Sequence, residues 1–583
     1  MTLRNLLLGL AAACAAGTGA LVLAGETLIV RTAAARLEAA TGRPWSMGGA
    51  ALSLWPVGVT LRDVATKTDL GPAGPGSLTI DAVRLGGTVR GLLAGGPDEV
   101  EIVRPVLRWP AQWWREAGPV REAAPPPSPG PLPRRIAVRD GSLALTEAGR
   151  IVAALDGISA TAQPRGDGHA VTLAGQVGGA RGTCDLTVAP AERAPGPATE
   201  TPVAIAFSCR APLLSDAPLA GTADATLSGA SLTLARLSGS LGPDRFIGGV
   251  LVDLAQKPFV RLDLGFEALS LGTPPAAGRP SDRNPSGLAA MPDLAGLRLF
   301  DGRLRLRAAA LAVGQTRLGE VDLDLRLADG SVDATLAPAS LHGGQVRGRL
   351  ATTIPAAPDD APRHALTVEL TRARALPLLS GLAGFSLLDG TASATLDLRG
   401  AGRDGTAIRR SLSGKAALLV ENGRLVGIDI PGVVQSMAAR VSSADTTTFD
   451  RLSLRFQLQD GRAATEELAL AGPLVTAAGS GAVDLGERSL SFRIEPRLTR
   501  AAARSLPRLL DVSLPVIING TWDAPQIHVD LAGLMNDGQL ARGLESVGTD
   551  LLGGRNGGVG GLLDMLMPQE GAGRSSPRRQ GRP

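Results

Sequence analysis

The sequence predicts a mainly β protein, built on many short strands of an elongated antiparallel sheet with one apolar face. Three observations lead to this fold class. Apolar and polar residues alternate over many short segments, which is the pattern of strands with one apolar face. Gly 75 and Pro 42 make up about a fifth of the 583 residues, as expected for many short elements joined by turns. Aromatic residues are only 3% of the chain, so the apolar face must consist mainly of aliphatic side chains.

The alternation is clearest in four segments of the second half of the chain. Val321 to Leu327 alternates with aspartate and arginine, and Leu452 to Leu458 alternates with serine, arginine and glutamine. Such strands must bury or cover one side. The candidate groove-lining residues are therefore the apolar members of these segments: Leu304, Leu306, Val321, Leu323, Leu325, Leu327, Leu396, Leu398, Leu452, Leu454, Phe456 and Leu458.

Short turn signals separate the strands. Asp-Gly and Asn-Gly dipeptides accept the positive φ angles of tight hairpin turns. Connections of this length are too short for helical crossovers, so we expect a sheet that is overwhelmingly antiparallel. The dipeptides that predict turns are Asp140-Gly141, Asp301-Gly302, Asp329-Gly330, Asp389-Gly390, Asn422-Gly423 and Asp460-Gly461.

The N-terminus predicts a membrane anchor. Residues 6–25 contain no charged residue and are about as long as a helix that crosses a bilayer. Arg4 before this run favours a cytoplasmic N-terminus, which exports everything that follows. The alternative is cleavage by a signal peptidase, which could read Val22-Leu23-Ala24 as its cleavage site. The run continues without a break into a predicted helix at residues 27–41, which favours a retained transmembrane helix.

We expect the following division of the chain. Residues 1–26 form the anchor, 27–115 a helix followed by strands, 116–135 a proline-rich linker, and 136–364 a β-rich middle region. Residues 365–531 form a second β-rich region with few short helices, 532–569 a helical segment, and 570–583 a tail without apolar periodicity. Further proline-rich loops interrupt the strand pattern without changing it. They indicate insertions in one continuous architecture.

No motif predicts catalysis. The four histidines have no metal-ligand spacing to one another or to cysteine, and nucleophile, phosphate-binding and zinc-protease motifs are absent from the sequence. We therefore expect no enzyme activity, no catalytic residue, no metal and no cofactor. The formal charge of +4 is small for 583 residues and arises from alternating signs, which argues against nucleic acid as a partner.

Two cysteines are candidates for a disulfide. Pairing their segments as a hairpin would place Leu186 opposite Phe207 and bring Cys184 and Cys209 to one face. The same hairpin would place Val188 opposite Ile205. A disulfide there requires an oxidising compartment. The alternative is a pair of small apolar strand residues that stay reduced.

Periodicity leaves two architectures open. Two sheets packed face to face would bury the apolar sides in a string of sandwiches. One long sheet that is bent along its length would instead form a trough, with aliphatic side chains inside and charged ones in water. Such a trough would be open enough to hold acyl chains.

Several segments in a fixed order resemble the C-terminal region of the bacterial AsmA family. They begin with ALPLLSGLAGFSLLDGTASATLDLRGAG after Ala365, followed by SLSGKAALLVENGRLVGIDIP. Next come FDRLSLRFQLQDGRAATEELALAGPLVTAAGSGAVDLGERSLSFRI and PVIINGTWDAP. The N-terminal segment LEAATGRPWSMGGAALSLWPVGVTLRDV is also similar to the opening of that family.

The resemblance implies a single-pass protein of the bacterial inner membrane with its body in the periplasm and a role in outer-membrane biogenesis. It also implies kinship with bridge-like lipid-transfer proteins, whose curved sheets carry phospholipid acyl chains, and therefore an elongated, strongly curved antiparallel sheet that forms a trough or groove. The expected partners are phospholipid, the inner membrane and another envelope protein. The alternative is a non-transporting structural or assembly factor that affects insertion of outer-membrane proteins.

Overall fold

The computed structural model describes most of the chain between Glu26 and Asp530. The described ranges are 26–41, 43–66, 76–88, 96–111, 133–147, 149–191, 202–212, 215–271, 294–314, 316–355, 357, 360–383, 385–428, 441–499, 515–521 and 524–530. The predicted anchor before Glu26, nearly all of the predicted linker, the helical segment 532–569 and the tail 570–583 lie outside them. No helix within the described ranges is both long enough and apolar enough to span a membrane.

All strands in the described ranges belong to one 27-stranded sheet. Its first part comprises β1 (Trp45–Ser46), β2 (Gly49–Leu54), β3 (Val57–Thr66), β4 (Ser77–Gly86), β5 (Glu99–Pro110), β6 (Arg135–Glu147), β7 (Arg150–Arg165), β8 (Gly168–Val177) and β9 (Ala180–Pro190). The second part comprises β10 (Val203–Ala211), β11 (Ser215–Ser228), β12 (Ser231–Leu241), β13 (Asp244–Asp253), β14 (Phe259–Leu271), β15 (Asp301–Val313), β16 (Thr316–Ala328), β17 (Ser331–Leu341) and β18 (Gly344–Thr353).

The third part of the sheet extends to its far edge. It comprises β19 (Arg363–Arg374), β20 (Leu388–Ala401), β21 (Ser413–Ile428), β22 (Val441–Gln459), β23 (Arg462–Ala471), β24 (Val475–Asp484), β25 (Ser489–Leu498), β26 (Val516–Thr521) and β27 (Ala524–Val529). Each strand from β3 onward pairs with the next one in the chain, while β1 and β2 both pair with β3. The prediction of a mainly β fold in one continuous, mostly antiparallel sheet is confirmed.

Two pairs of neighbouring strands are parallel. They are β5 with β6 and β14 with β15, and each pair is joined by one of the longer proline-rich stretches of the chain. A parallel pair needs a long crossover because the chain must return to the same end of the sheet. The sheet therefore continues on both sides of each stretch, as one continuous architecture requires.

The described helices are few and short. They are α1 (Glu26–Thr41), a 3₁₀ helix η1 (Leu294–Leu299), α2 (Ala375–Ala383) and α3 (Gly405–Ser411). The carboxylate of Asp404 accepts hydrogen bonds from the backbone N–H groups of Thr406 (2.9 Å) and Ala407 (2.8 Å), so it caps the first turn of α3. Helix α1 lies where the sequence predicts a helix, and α2 and α3 lie in the region that is predicted to hold few short helices.

The turn predictions are only partly right. Asp329-Gly330 and Asp460-Gly461 join β16 to β17 and β22 to β23, as predicted. The other four dipeptides lie within strands: Asp301-Gly302 opens β15, and Asp140-Gly141, Asp389-Gly390 and Asn422-Gly423 lie inside β6, β20 and β21.

The corrected positions have a physical reason. Asp140 and Asn422 have φ angles of 52° and 48°, so they adopt the left-handed conformation that a hairpin turn would require. A β-bulge uses the same conformation without ending the strand. The register between β6 and β7 shifts beside Asp140, and the register between β20 and β21 shifts beside Gly390. These bulges bend the strands and increase the local twist.

The largest buried clusters lie towards the two ends of the sheet. Near the N-terminal end, α1 places Leu37 (0% exposed) against a group that includes Trp45 and Val64. Towards the C-terminal end, Val420 and Phe449 are the centre of a second cluster on β20 to β24. Leu37 of α1 belongs to the first cluster, and Ala375 of α2 belongs to the second.

Candidate functional site

The apolar face of the sheet is the candidate functional site. Leu304 pairs with Leu325 and Leu306 with Leu323 across β15 and β16. Because side chains alternate along a strand, directly paired residues point to the same side. Following the register from β16 through β22 places all twelve predicted candidates on this side, the last four being Leu452, Leu454, Phe456 and Leu458.

Strands between the predicted segments complete the face. Leu325 pairs with Ala334, which pairs with Leu350, and Leu350 pairs with Leu366. Leu366 then pairs with Leu398. Sequence reasoning missed Leu350 because its strand, GQVRGRLATT, has few large apolar residues and a weak alternation. The pairing partners on both sides are the signal that identifies it.

The same face continues towards the N-terminus. Leu262 pairs with Leu304 across the parallel pair β14 and β15, and Val250 pairs with Leu262. Register from β13 back to β3 leads through Phe207 to Val59. One apolar face therefore spans nearly the whole described sheet, and no charged side chain interrupts the pairs named here.

Helix α2 covers part of this face. It follows β19, yet it contacts β16 as well as β19 and β20. Leu378 on α2 is buried together with Leu341, Leu370 and Ala373. Strands β16 and β20 are four positions apart, or roughly 19 Å in a flat sheet. The helix thus lies across the strands and not along one of them.

The 3₁₀ helix η1 makes a contact between distant parts of the sheet. It leads directly into β15, but it also contacts β7. These strands are eight positions apart, which is about 38 Å in a flat sheet. A six-residue 3₁₀ helix is only about 12 Å long. The sheet must therefore curve between β7 and β15 for this contact to form.

Other parts of the apolar face stay open. Among the described residues between Val138 and Thr222, no hydrophobic side chain is fully buried. Leu173 on β8 is 38% exposed and Leu350 on β18 is 40% exposed, although both belong to the apolar face. These side chains have aliphatic or small neighbours on the flanking strands and solvent above them.

A disulfide lies on the same face. Cys184 and Cys209 are bonded, and their Cα atoms are 4.0 Å apart. The predicted hairpin register is confirmed, with Leu186 opposite Phe207 and Val188 opposite Ile205. Leu173 is the partner of Cys184 on the other side. The bond therefore links β9 to β10 in the section where the apolar face is least covered.

The opposite face carries a ladder of ion pairs. Arg303 contacts Asp324 at 2.5 Å, and Arg305 contacts Asp322 at 3.3 Å. Arg349 pairs in the same way with Asp333. Hydrogen bonding to Arg303 holds the pKa of the Asp324 carboxyl below its usual value. The face that carries these charges is hydrated, so each ion pair adds little to stability. The main effect of the charges is that this side of the sheet stays hydrated.

One lysine holds strand ends together at the second parallel crossover. Lys257 lies just before β14, and its Nζ donates hydrogen bonds to the carboxylates of Asp301 and Asp329, the latter at 2.8 Å. Partial burial disfavours the charged ammonium, but the two hydrogen bonds outweigh that effect and raise the pKa of Lys257. This arrangement ties the start of β15 to the turn after β16.

The described side chains offer no candidate metal centre. No group of three or more His, Cys, Asp or Glu within the described ranges is placed to hold an ion. His364 uses both ring nitrogens structurally: Nδ1 lies 3.0 Å from the Thr352 hydroxyl and Nε2 lies 3.0 Å from the Gly402 carbonyl oxygen. It joins β18 and β19 to the corner before α3.

A protein-family model matches the part of the chain that forms the centre of this surface. The model of the AsmA family matches residues 283–468. Residues 283–468 belong to the AsmA family. The matched AsmA region contains β15 to β22, which carry all twelve candidate residues, together with η1, α2 and α3.

The AsmA match covers about a third of the chain. It begins upstream of Ala365, where the resemblance in the sequence becomes specific, and it ends within β23. No curated protein matches the chain significantly. No solved structure matches it significantly either.

Proposed function

We propose that this AsmA-family protein is anchored in the bacterial inner membrane and carries or handles phospholipids in the periplasm, along the apolar face of its sheet. The observation that supports this most strongly is a continuous aliphatic face with half-exposed members such as Leu173 and Leu350. Covering apolar surface is favourable by about 25 cal/mol per Å². Acyl chains are ligands that would cover it without requiring any polar contact.

The shape of the sheet supports a groove. The bulges at Asp140 and Gly390 bend the strands, and the contact of η1 with β7 requires curvature over many strands. Bending with the apolar side inward makes a trough whose outside carries the ion-pair ladder. At about 4.8 Å per strand, the 27 strands would extend over a distance on the order of 100 Å.

The sequence and the family both support the proposed location. Residues 6–25 have the length and composition of a membrane-spanning helix, and Arg4 favours export of the rest. AsmA membership fits a role in building the outer membrane. Transfer would proceed by diffusion down a gradient of supply, because the sequence has no nucleotide-hydrolysing motif. This role requires no catalytic residue and no cofactor, and it leaves room for an envelope protein partner.

A structural or assembly factor is the second candidate. It is favoured by the well-buried cluster around Val420 and Phe449, which resembles an ordinary packed core. In such a protein the apolar face would serve stability alone, and exposed loops would contact outer-membrane proteins during their insertion. The two functions differ in whether lipid occupies the open part of the face.

Photo-crosslinking in living cells tests this difference. A photoreactive amino acid would replace Leu350, which points to the apolar side, or Gln345 on the same strand, which points to the charged side. The proposal that the apolar face is a lipid-carrying groove (the groove model) predicts phospholipid adducts from position 350 and not from 345. Mass spectrometry would identify these adducts. Equal labelling at both positions, or no lipid adduct at 350, would favour the assembly factor.

A further inference from the structure

An exposed tryptophan lies at the tip of the hairpin that joins β2 to β3. Trp55 is 93% exposed and Leu52 on β2 is 52% exposed. Pro56 next to Trp55 is exposed as well. Residues 48–61, which include the hairpin, contain no charged residue. An indole ring with an apolar body and one N–H donor is typical of side chains at the membrane–water interface.

Helix α1, which precedes this hairpin in the chain, packs against its first strand. Helix α1 contacts both β1 and β2, and Ala33 and Leu37 belong to the same buried cluster as Trp45. The Trp45 Nε1–H donates to the Thr41 hydroxyl at 2.9 Å, which joins the end of α1 to the first strand. Strand β2 therefore packs against α1 soon after the chain leaves the helix.

The lengths of the two elements match. The 16 residues of α1 extend about 24 Å. The six residues of β2 extend about 20 Å. Antiparallel packing of β2 on α1 would place the β2–β3 tip near the level of Glu26, where α1 begins.

The sequence before Glu26 suggests what lies at that level. Residues 6–25 are uncharged and long enough to cross a bilayer, and they end at the start of α1. A bilayer that holds this run would have its surface beside Glu26. The exposed apolar tip would then face the lipid surface, which is the environment that suits Trp55 and Leu52.

We propose that the β2–β3 tip, with Trp55, Leu52 and Pro56, inserts into the interface of the bilayer that holds residues 6–25. Leu52 pairs with Val59, so the apolar face of the sheet begins at this contact. The tip fixes the N-terminal end of the sheet against the membrane. This contact holds whether or not the apolar face carries lipid, so it can be tested separately from lipid transport.

Fluorescence quenching by brominated lipid tests the contact. The full-length protein would be reconstituted into phosphatidylcholine vesicles with or without bromine in the acyl chains. The chain has 6 tryptophans, so removing one changes about a sixth of the total emission. We expect bromolipid to quench a component that Trp55→Phe lacks. Trp45→Phe is the control because Trp45 is buried at 3% exposure, and it should retain that component.

Two results would overturn the proposal. One is bromolipid quenching of the same size in wild type and Trp55→Phe. The other is quenching of the Trp55 component by aqueous iodide in vesicles to the same extent as N-acetyltryptophanamide is quenched in water. Trp55→Phe should fold normally because its side chain makes little contact with the rest of the protein, and circular dichroism would verify this.

Discussion

Leu350 on β18 lies opposite Leu366 on β19, and both residues point to the apolar side of the sheet. Leu350 keeps 40% of its surface exposed, although Ala334 flanks it on the other neighbouring strand. A leucine between apolar neighbours in a packed core is normally buried. This pair therefore lies in a section of the apolar face that is open to solvent.

Leu350→Asp should prevent acyl chains from occupying this section. An unpaired carboxylate beside an acyl chain costs several kcal/mol. The yield of photo-crosslinked phospholipid at neighbouring positions of the apolar face should therefore fall about tenfold or more. The free energy of unfolding should fall by only about 1 kcal/mol, because the site is half exposed. Gln345→Asp, on the charged side of β18, is the matched control and should change neither quantity. Undiminished lipid labelling in the Leu350→Asp variant would contradict an open groove here.

Truncations should separate the covered section of the face from the open one. Leu378→Ala removes a buried side chain from the cluster of Leu341 and Leu370, and should lower the free energy of unfolding by about 2–4 kcal/mol. Leu350→Ala should cost about 1 kcal/mol or less, because half of that side chain already contacts water. Urea denaturation of both variants measures the contrast. Equal losses would indicate that the face is packed throughout.

The disulfide predicts a definite thiol count. Of the three cysteines, Cys184 and Cys209 are bonded, so denatured and unreduced protein should expose only the thiol of Cys14. Reduction should expose all of them. The bond closes a loop of 25 residues, and replacing both cysteines by alanine should lower the free energy of unfolding by about 3 kcal/mol. Free thiols at positions 184 and 209 in protein isolated from an oxidising compartment would contradict the pairing.

The charged face should add a small pH-dependent increment to stability. Hydrogen bonding to Arg303 lowers the pKa of Asp324 in the folded state, so the pair stabilises the fold above the unfolded pKa of about 3.9. That increment is lost as the pH falls through the lowered value. Urea midpoints of wild type and Asp324→Asn should therefore differ above about pH 5, and the difference should shrink as the pH falls below the unfolded pKa of about 3.9. A difference that persists at low pH would show that Asp324 acts by packing instead.

Local patterns were sufficient to assign the apolar face. The alternation around Leu323 and Leu454 identified which side chains point together, because side-chain direction in a strand depends only on position parity. The register of Cys184 and Cys209 also followed from local sequence, since one loop joins their strands. The strand of Leu350 alternates only weakly, so the side to which Leu350 points became clear only from the strands that pair with it.

Features that depend on distant parts of the chain could not be predicted in this way. Asp140 and Asn422 have the sequence of a hairpin turn, but bulges use the same positive φ and tertiary pairing decides between them. The parallel pairs depend on where a long proline-rich insertion returns to the sheet. The position of α2 over Leu341 and Leu370 is likewise a packing outcome, because the helix is apolar on more than one side.

The most direct test of the central claim is a measurement of phospholipid bound to the chain from Glu26 onward, purified without detergent and analysed by mass spectrometry. The groove model predicts that phospholipid co-purifies with the folded protein. It also predicts that Leu173→Asp combined with Leu350→Asp removes most of this lipid, while Gln345→Asp retains it. Folded protein that contains no lipid, or equal lipid content in all three proteins, would contradict the claim that the apolar face is a lipid-carrying groove.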